Sequence, residues 1–332
     1  MPDTPEDARP TAEKRTDSAS FRLAAFGAVL ILVLFAGYGI GRLNESAGVT
    51  PPQAAPTEAA DAHGHEGASG TAQHDDSGTA PHTHNADGSV TPVGAATPGE
   101  AVGGLAVTSA GLTLVPGITT FVPGRRQPLR FTIQAAAGVP VTTFAVGHDT
   151  PLHLIVIRRD LSGFQHLHPT MAPDGTWSVP LTLAAPGSYR AIADFTAIVG
   201  GREVPTTLGV DLTVAGNYTP VALPAPVRQA GAGPFQVAYE GAPRTGSTQP
   251  LLLDVTTQGR PASLEPYLGA YGHLVVLREG DLDYVHVHPE TDLIDGKVKF
   301  WLAAPGPGRY RMFFDFKVDG AVHTAAWTAQ VS

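Results

Sequence analysis

The chain has 332 residues, room for two domains of ordinary size plus appendages, and a formal net charge of −9 at pH 7. That acidic balance, with no basic cluster, speaks against nucleic-acid binding. Cysteine is absent, which excludes disulfides, thiolate zinc sites, iron–sulfur clusters and blue-copper centres, so any metal must be held by nitrogen and oxygen.

Residues 1–20 are polar and proline-bearing, and they read as a cytoplasmic tail that cannot fold alone. Residues 21–41 follow as a candidate transmembrane helix. Phe21 to Ile40 is apolar except for Arg22, and 20 helical residues span about 30 Å, the thickness of a bilayer core. A cleaved signal peptide is the competing reading, but its apolar region is usually about 7–15 residues. Lys14, Arg15 and Arg22 precede the span and Arg42 follows it, which places the N-terminus in the cytoplasm and everything after the span outside. A single-pass cell-membrane protein is the expectation.

Residues 42–104, rich in Ala, Gly, Pro and Thr without apolar periodicity, are expected to form a disordered tether. Within it lie His63, His65, His74, His82 and His84, beside Asp61, Glu66, Asp75, Asp76 and Asp87. Two H-x-H pairs flanked by carboxylates fit weak, geometrically unselective metal chelation at His63, His65, His82 and His84.

From about Leu105 the texture changes to short β-rich runs separated by Gly, Pro and Asp. Strands are expected at Pro128–Ile133, Val139–Val146, Thr176–Leu183, Ser188–Phe195 and Thr207–Val214. Together they make an antiparallel β-sandwich over residues 105–215. A Pro/Ala linker over 216–233 leads to a second sandwich over 234–332.

The two copies share one stretch in particular. Leu152–Pro169 (LHLIVIRRDLSGFQHLHP) matches Gly272–Pro289 (GHLVVLREGDLDYVHVHP), with one histidine opening an apolar run and an H-x-H-P following at the same distance. With the chain reversing at Arg159-Asp160 and Glu279-Gly280, His153 is expected opposite His166 and His273 opposite His286. His168 and His288 then lie two residues along on the same face. Ile155, Ile157 and Phe164 share that face in the first copy, and Val275, Leu277 and Tyr284 in the second. Leu154, Val156 and Leu167 line the other face. Two three-histidine sites, one per sandwich, are the expectation. Imidazole suits copper(II) first, with zinc or nickel as alternatives.

Four further residues bear on these sites. His323 is expected as a fourth ligand if Val204 and Val322 occupy the same strand position, whereas His148 is expected to be a surface loop residue. Asp194 and Asp315 are the candidates for orienting an imidazole, or else for capping a strand or pairing with an arginine.

After the H-x-H-P, Pro186-Gly187-Ser188-Tyr189-Arg190 matches Pro307-Gly308-Arg309-Tyr310-Arg311. The P-G-x-Y strand resembles the Greek-key sandwiches of the cupredoxin and immunoglobulin-like families. In cupredoxins the copper cysteine lies four residues beyond the tyrosine, and Ala193 and Phe314 stand there, so the resemblance implies the fold without an electron-transfer centre. The whole chain resembles bacterial extracytoplasmic metal-handling proteins of the copper type, which implies membrane-anchored metal binding and a further metal-handling protein as partner. The alternative is a non-catalytic docking module whose histidines are structural. No nucleophile elbow, phosphate loop or H-E-x-x-H helix points to an enzyme.

Overall fold

A computed structural model describes residues 103–332 except His286, only the backbone of His288, and the backbones of residues 82–84 and 90–92. The apolar span at 21–41, His63, His65 and His74 lie outside the described residues. Among the described residues, no helix is long and apolar enough to cross a membrane. Among the described residues the protein is mainly β, built from several sheets whose strand ladders are antiparallel but for one. Strands β1 (His82–His84) and β2 (Val90–Pro92) pair within the stretch expected to be unstructured, so that expectation is corrected there.

The first sandwich comprises β3 (Thr108–Ser109), β4 (Leu112–Pro116), β5 (Thr120–Phe121), β6 (Arg126–Gln134), β7 (Leu152–Arg158), β8 (Gln165–Leu167), β9 (Thr170–Met171), β10 (Thr176–Thr182), β11 (Gly187–Val199) and β12 (Arg202–Val214). Its sheets run β3-β4-β6-β10-β9 and β5-β12-β11-β7-β8. The edge pair β5 and β12 is parallel, a departure from the all-antiparallel expectation. Strand β6 shows the pattern that makes it: Leu129, Phe131 and Ile133 alternate into the core and their neighbours face out. The strand expected at Val139–Val146 is absent. Gly138, Pro140 and Gly147 break the ladder there, leaving isolated bridges with Val139 and Val146 exposed.

The second sandwich comprises β13 (Gln229–Ala232), β14 (Phe235–Glu240), β15 (Gln249–Thr257), β16 (Arg260–Pro261), β17 (His273–Arg278), β18 (Tyr284–Val285), β19 (His288–Pro289), β20 (Val298–Leu302), β21 (Gly308–Val318) and β22 (Ala321–Val331). One sheet runs β13-β14-β15-β20-β19 with β16 on β15, and the other runs β18-β17-β21-β22. Strand β13 falls inside the expected linker 216–233, so the second sandwich begins earlier than its apolar pattern suggested.

Three apolar clusters result. Leu152, Leu154 and Val156 belong to the core of the first sandwich, and Leu274, Val276 and Phe314 to that of the second. The third cluster lies between the sandwiches and joins Ile155, Ile157, Leu161 and Ile192 to Val275, Leu277, Leu282 and Phe313. The two histidine-bearing faces are therefore packed against each other. Phe164 stacks on Phe313 with ring centroids 3.9 Å apart and planes 3° from parallel, a contact worth about 0.5–1.5 kcal/mol beyond the area it buries.

Backbone and polar contacts reinforce this seam. Residues 103–106 run between the sandwiches: Tyr284 N–H donates to Gly103 O at 3.0 Å, Gly209 N–H to Ala106 O at 2.9 Å, and Arg190 Nε to Gly104 O at 2.9 Å. Arg159 Nη2 donates to Gly280 O at 2.7 Å, tying the two hairpin loops together.

Candidate metal centre

The hairpin register differs from the one the spacing suggested. Leu154 pairs with Leu167 and Ile155 with His166, and continuing this ladder puts His153 opposite His168. In the second copy Val276 pairs with Val285, which puts His273 opposite His288. The shift is two residues, so each histidine keeps its face.

The cause is a wide loop in place of a tight turn at Arg159-Asp160. Asp160 accepts from Arg158 Nη2 at 2.6 Å, Ser162 N–H at 3.2 Å and Val221 N–H at 2.7 Å, and its carboxyl is held down to about pKa 2: burial opposes the shift, while these bonds and Ser162 Oγ–H outweigh it. Leu161 and Leu282 adopt left-handed backbone, φ 64° and 66°, and are buried in the seam. Burying a leucine, worth about 1.5–3 kcal/mol, offsets the strain of roughly 1–3 kcal/mol.

His153, His166 and His168 converge: one ring nitrogen from each lies within 4.8 Å of the others. Ring centroids are 5.2 Å apart for His153 and His166, 5.2 Å for His153 and His168, and 4.8 Å for His166 and His168. His273, from the second sandwich, comes close to these rings. Its ring is 5.7 Å from that of His153 and 6.0 Å from that of His166, so both sandwiches feed one cluster. The side chains of His286, His288, His82 and His84 lie outside the described set.

His323 does not join the cluster. Ala193 pairs with Leu208 and Phe314 with Ala325, so the last strands of the two copies align one residue away from the expected match, and His323 corresponds to Thr206. One residue reverses the face of a strand. His323 accordingly packs against Phe235 and Phe316 at 4.7 and 5.6 Å. His148, by contrast, is not an isolated loop residue. It opens a turn with Asp149 in which both φ angles are positive, 50° and 58°, and its ring lies 5.4 Å from His273 and 6.1 Å from His153. Leu268 takes the same left-handed position in the second copy, so no repeat signal marks His148. Tyr267 was also missed.

Hydrogen bonds fix the ring protons. A carboxylate only accepts, so His166 Nδ1–H donates to Asp315 Oδ2 at 2.9 Å across the seam. In neutral His166 the Nε2 is then an acceptor, which takes the Nδ1–H of His153 at 3.0 Å and leaves His153 Nε2 as a lone pair. Among the described residues, His153 Nε2 and His168 Nε2 are both buried without a hydrogen-bond partner. His273 Nε2–H donates to the backbone carbonyl of Tyr267 at 3.0 Å, leaving Nδ1 as its lone-pair nitrogen. Asp315 also accepts from Thr324 Oγ1, while Asp194 accepts from Thr207 Oγ1 at 3.0 Å and Tyr284 Oη at 3.2 Å.

Burial lowers the histidine pKa values: His153 to about 2, further depressed by His166 and His273; His273 to about 3, further depressed by His148 and His166; and His168 to about 4, further depressed by His166. His153, His168 and His273 are thus held in the neutral state that metal coordination needs. A groove of about 570 Å³, lined in part by Thr142, Phe144, His168, Met171 and Trp177, borders the cluster at His168.

Fold and site together define a tandem of two β-sandwiches with a histidine cluster where their faces meet. A family model described as a domain of unknown function (DUF8832) matches residues 107–213 and again 230–332, and the chain belongs to that family. No curated protein matches the chain.

Among solved structures, the chain is similar to the Escherichia coli adhesin FdeC at 14% identity, covering 68% of this chain and 66% of that one with a TM-score of 0.24. The S-layer protein SbsC, domains 4 and 5, matches at 12% identity over 68% and 98% of the two chains, TM-score 0.20. Invasin, a bacterial integrin-binding protein, matches at 17% identity over 67% of this chain and 39% of that one, TM-score 0.21.

Proposed function

We propose that the protein binds a divalent transition metal at the histidine cluster between its sandwiches, copper(II) first and zinc or nickel as alternatives. The carrying observation is that His153 Nε2 and His168 Nε2 are buried ring nitrogens with no hydrogen-bond partner among the described residues. A buried polar atom without a partner costs about 1–3 kcal/mol, and a cation removes that cost. The His166–Asp315 pair supplies the outer carboxylate that metal-binding imidazoles usually have. Affinity order for nitrogen sites favours copper. In this reading the apolar span anchors the protein, the sandwiches lie outside the membrane, the tether histidines gather ions, and a further extracytoplasmic metal-handling protein exchanges them.

Metal content decides it. The full chain with His63, His65, His74, His82 and His84 changed to Ala should retain copper(II) through dialysis. The same chain with His153→Ala, His166→Ala and His168→Ala should not. Equal metal in both would overturn the assignment.

A second reading is a non-catalytic surface docking module, of the kind the adhesin, S-layer and invasin neighbours suggest. The seam favours it, because Phe164 on Phe313 and the buried leucines join the sandwiches without any ion. It requires a melting temperature that copper leaves unchanged.

A further inference from the structure

We infer that a single ion is shared by the two sandwiches, with His273 of the second as fourth ligand beside His153, His166 and His168 of the first. This rests on the metal-binding reading above and adds to it which residues complete the site and how many ions a chain holds.

Ring geometry is the first support. Four imidazoles on one ion with metal–nitrogen bonds of about 2.0–2.1 Å have ring centroids roughly 5 Å apart around a tetrahedral ion, and about 4.5 Å (adjacent) or about 6.4 Å (opposite) around square-planar copper(II). The three rings of the first sandwich stand 4.8–5.2 Å apart, and His273 stands 5.7 and 6.0 Å from His153 and His166. Bringing His273 as near to His153 and His166 as the three rings of the first sandwich stand to one another requires a contraction of about 1 Å. His166 Nε2 exchanges its bond from His153 for the ion, and the two rings remain neighbours.

Tautomer is the second support. The backbone carbonyl of Tyr267 fixes the proton of His273 on Nε2, as Asp315 fixes that of His166 on Nδ1. Outer partners of this type are what orient a ligating imidazole. His273 is 7% exposed and Asp315 4%, so both are enclosed by the seam. His148, half-buried in its turn, lies against His273 at the rim.

Sequence placement is the third. His273 and Asp315 are cross-strand partners on β17 and β21, as His153 and Asp194 are on β7 and β11. The second sandwich therefore brings both a ligand and the carboxylate that orients a ligand of the first. An ion held this way bonds one sandwich to the other.

The test uses the full chain carrying the five tether substitutions. Copper(II) is titrated against a competing chelator, and the bound form is examined by electron paramagnetic resonance for coupling to imidazole nitrogens. One ion per chain with four coupled imidazoles is expected, falling to three in His273→Gln with affinity weaker by at least about 10–100-fold, the loss typical of removing merely an outer partner. Two ions per chain, or unchanged affinity and spectrum in His273→Gln while His153→Gln loses both, would overturn the shared site and leave the metal reading standing. No bound ion in the unsubstituted cluster would overturn both. If His273→Gln does not fold, the ion count and the nitrogen count of the unsubstituted cluster decide the matter alone.

Discussion

His166 of the first sandwich and Asp315 of the second are joined by a 2.9 Å hydrogen bond in which the imidazole Nδ1–H donates to the carboxylate. Side chains of both are almost fully buried, at 5% and 6% exposure. The bond fixes the tautomer of His166 and places its other nitrogen in the cluster.

Asp315→Asn keeps the shape and removes the charge. Loss of an outer-shell carboxylate typically costs about 10–100-fold in metal affinity, and copper(II) competition titration of the variant should show a loss in that range. Undiminished affinity would mean that Asp315 serves packing alone.

Acid should destabilise the apo protein early. The folded-state pKa values of His153 and His273 are pushed down to about 2 and 3, so below the ordinary value near 6.5 the unfolded chain binds protons that the folded chain does not. The stability these neutral rings allow is complete above about pH 6.5 and is lost as pH falls toward their folded values. At about pH 5.5 each such histidine costs about 1.4 kcal/mol, so the two together cost about 3 kcal/mol. Urea midpoints measured from pH 7.5 down to 4.5 check this. A flat profile that matches the His153→Gln, His273→Gln variant would refute it.

Phe313→Ala should uncouple the sandwiches. Phe313 is 5% exposed and stacked on Phe164, and truncating a buried phenylalanine costs about 3–5 kcal/mol. Because the loss falls at the seam and not within either core, calorimetry should show one transition dividing into two. A single transition displaced as a whole would place the energy elsewhere.

Gly209→Ala tests the segment that threads the seam. A Cβ there would lie 1.9 Å from the carbonyl oxygen of Gly104, so residues 103–106 would have to move and release Arg190. A loss of about 1–3 kcal/mol in denaturant unfolding is expected. Gly147→Ala, where an added Cβ meets nothing within 4 Å, should change stability by less than about 0.5 kcal/mol.

The two sandwiches and the division of β7 between faces were legible in the sequence, because a strand repeats every two residues and the pattern survives twice. Leu154 and Val156 enter the core of the first sandwich, while Ile155 and Ile157 face away from it, as alternation requires. His323 was misplaced for the same reason that made alternation informative: the β21–β22 hairpin is shorter than its counterpart, and a one-residue misalignment reverses every face beyond it. The β7–β8 register escaped prediction because a leucine at positive φ is locally unfavourable, and its burial in the seam is visible only in three dimensions.

By itself, the sequence determined which side chains stand together on each strand face, since that follows from local backbone geometry and needs no partner. It also excluded thiolate chemistry by composition. Only the tertiary structure decided that the two outward faces meet. Their meeting depends on the shape of surfaces some 120 positions apart in the chain, and it brings His273 and Asp315 to the histidines of the first sandwich.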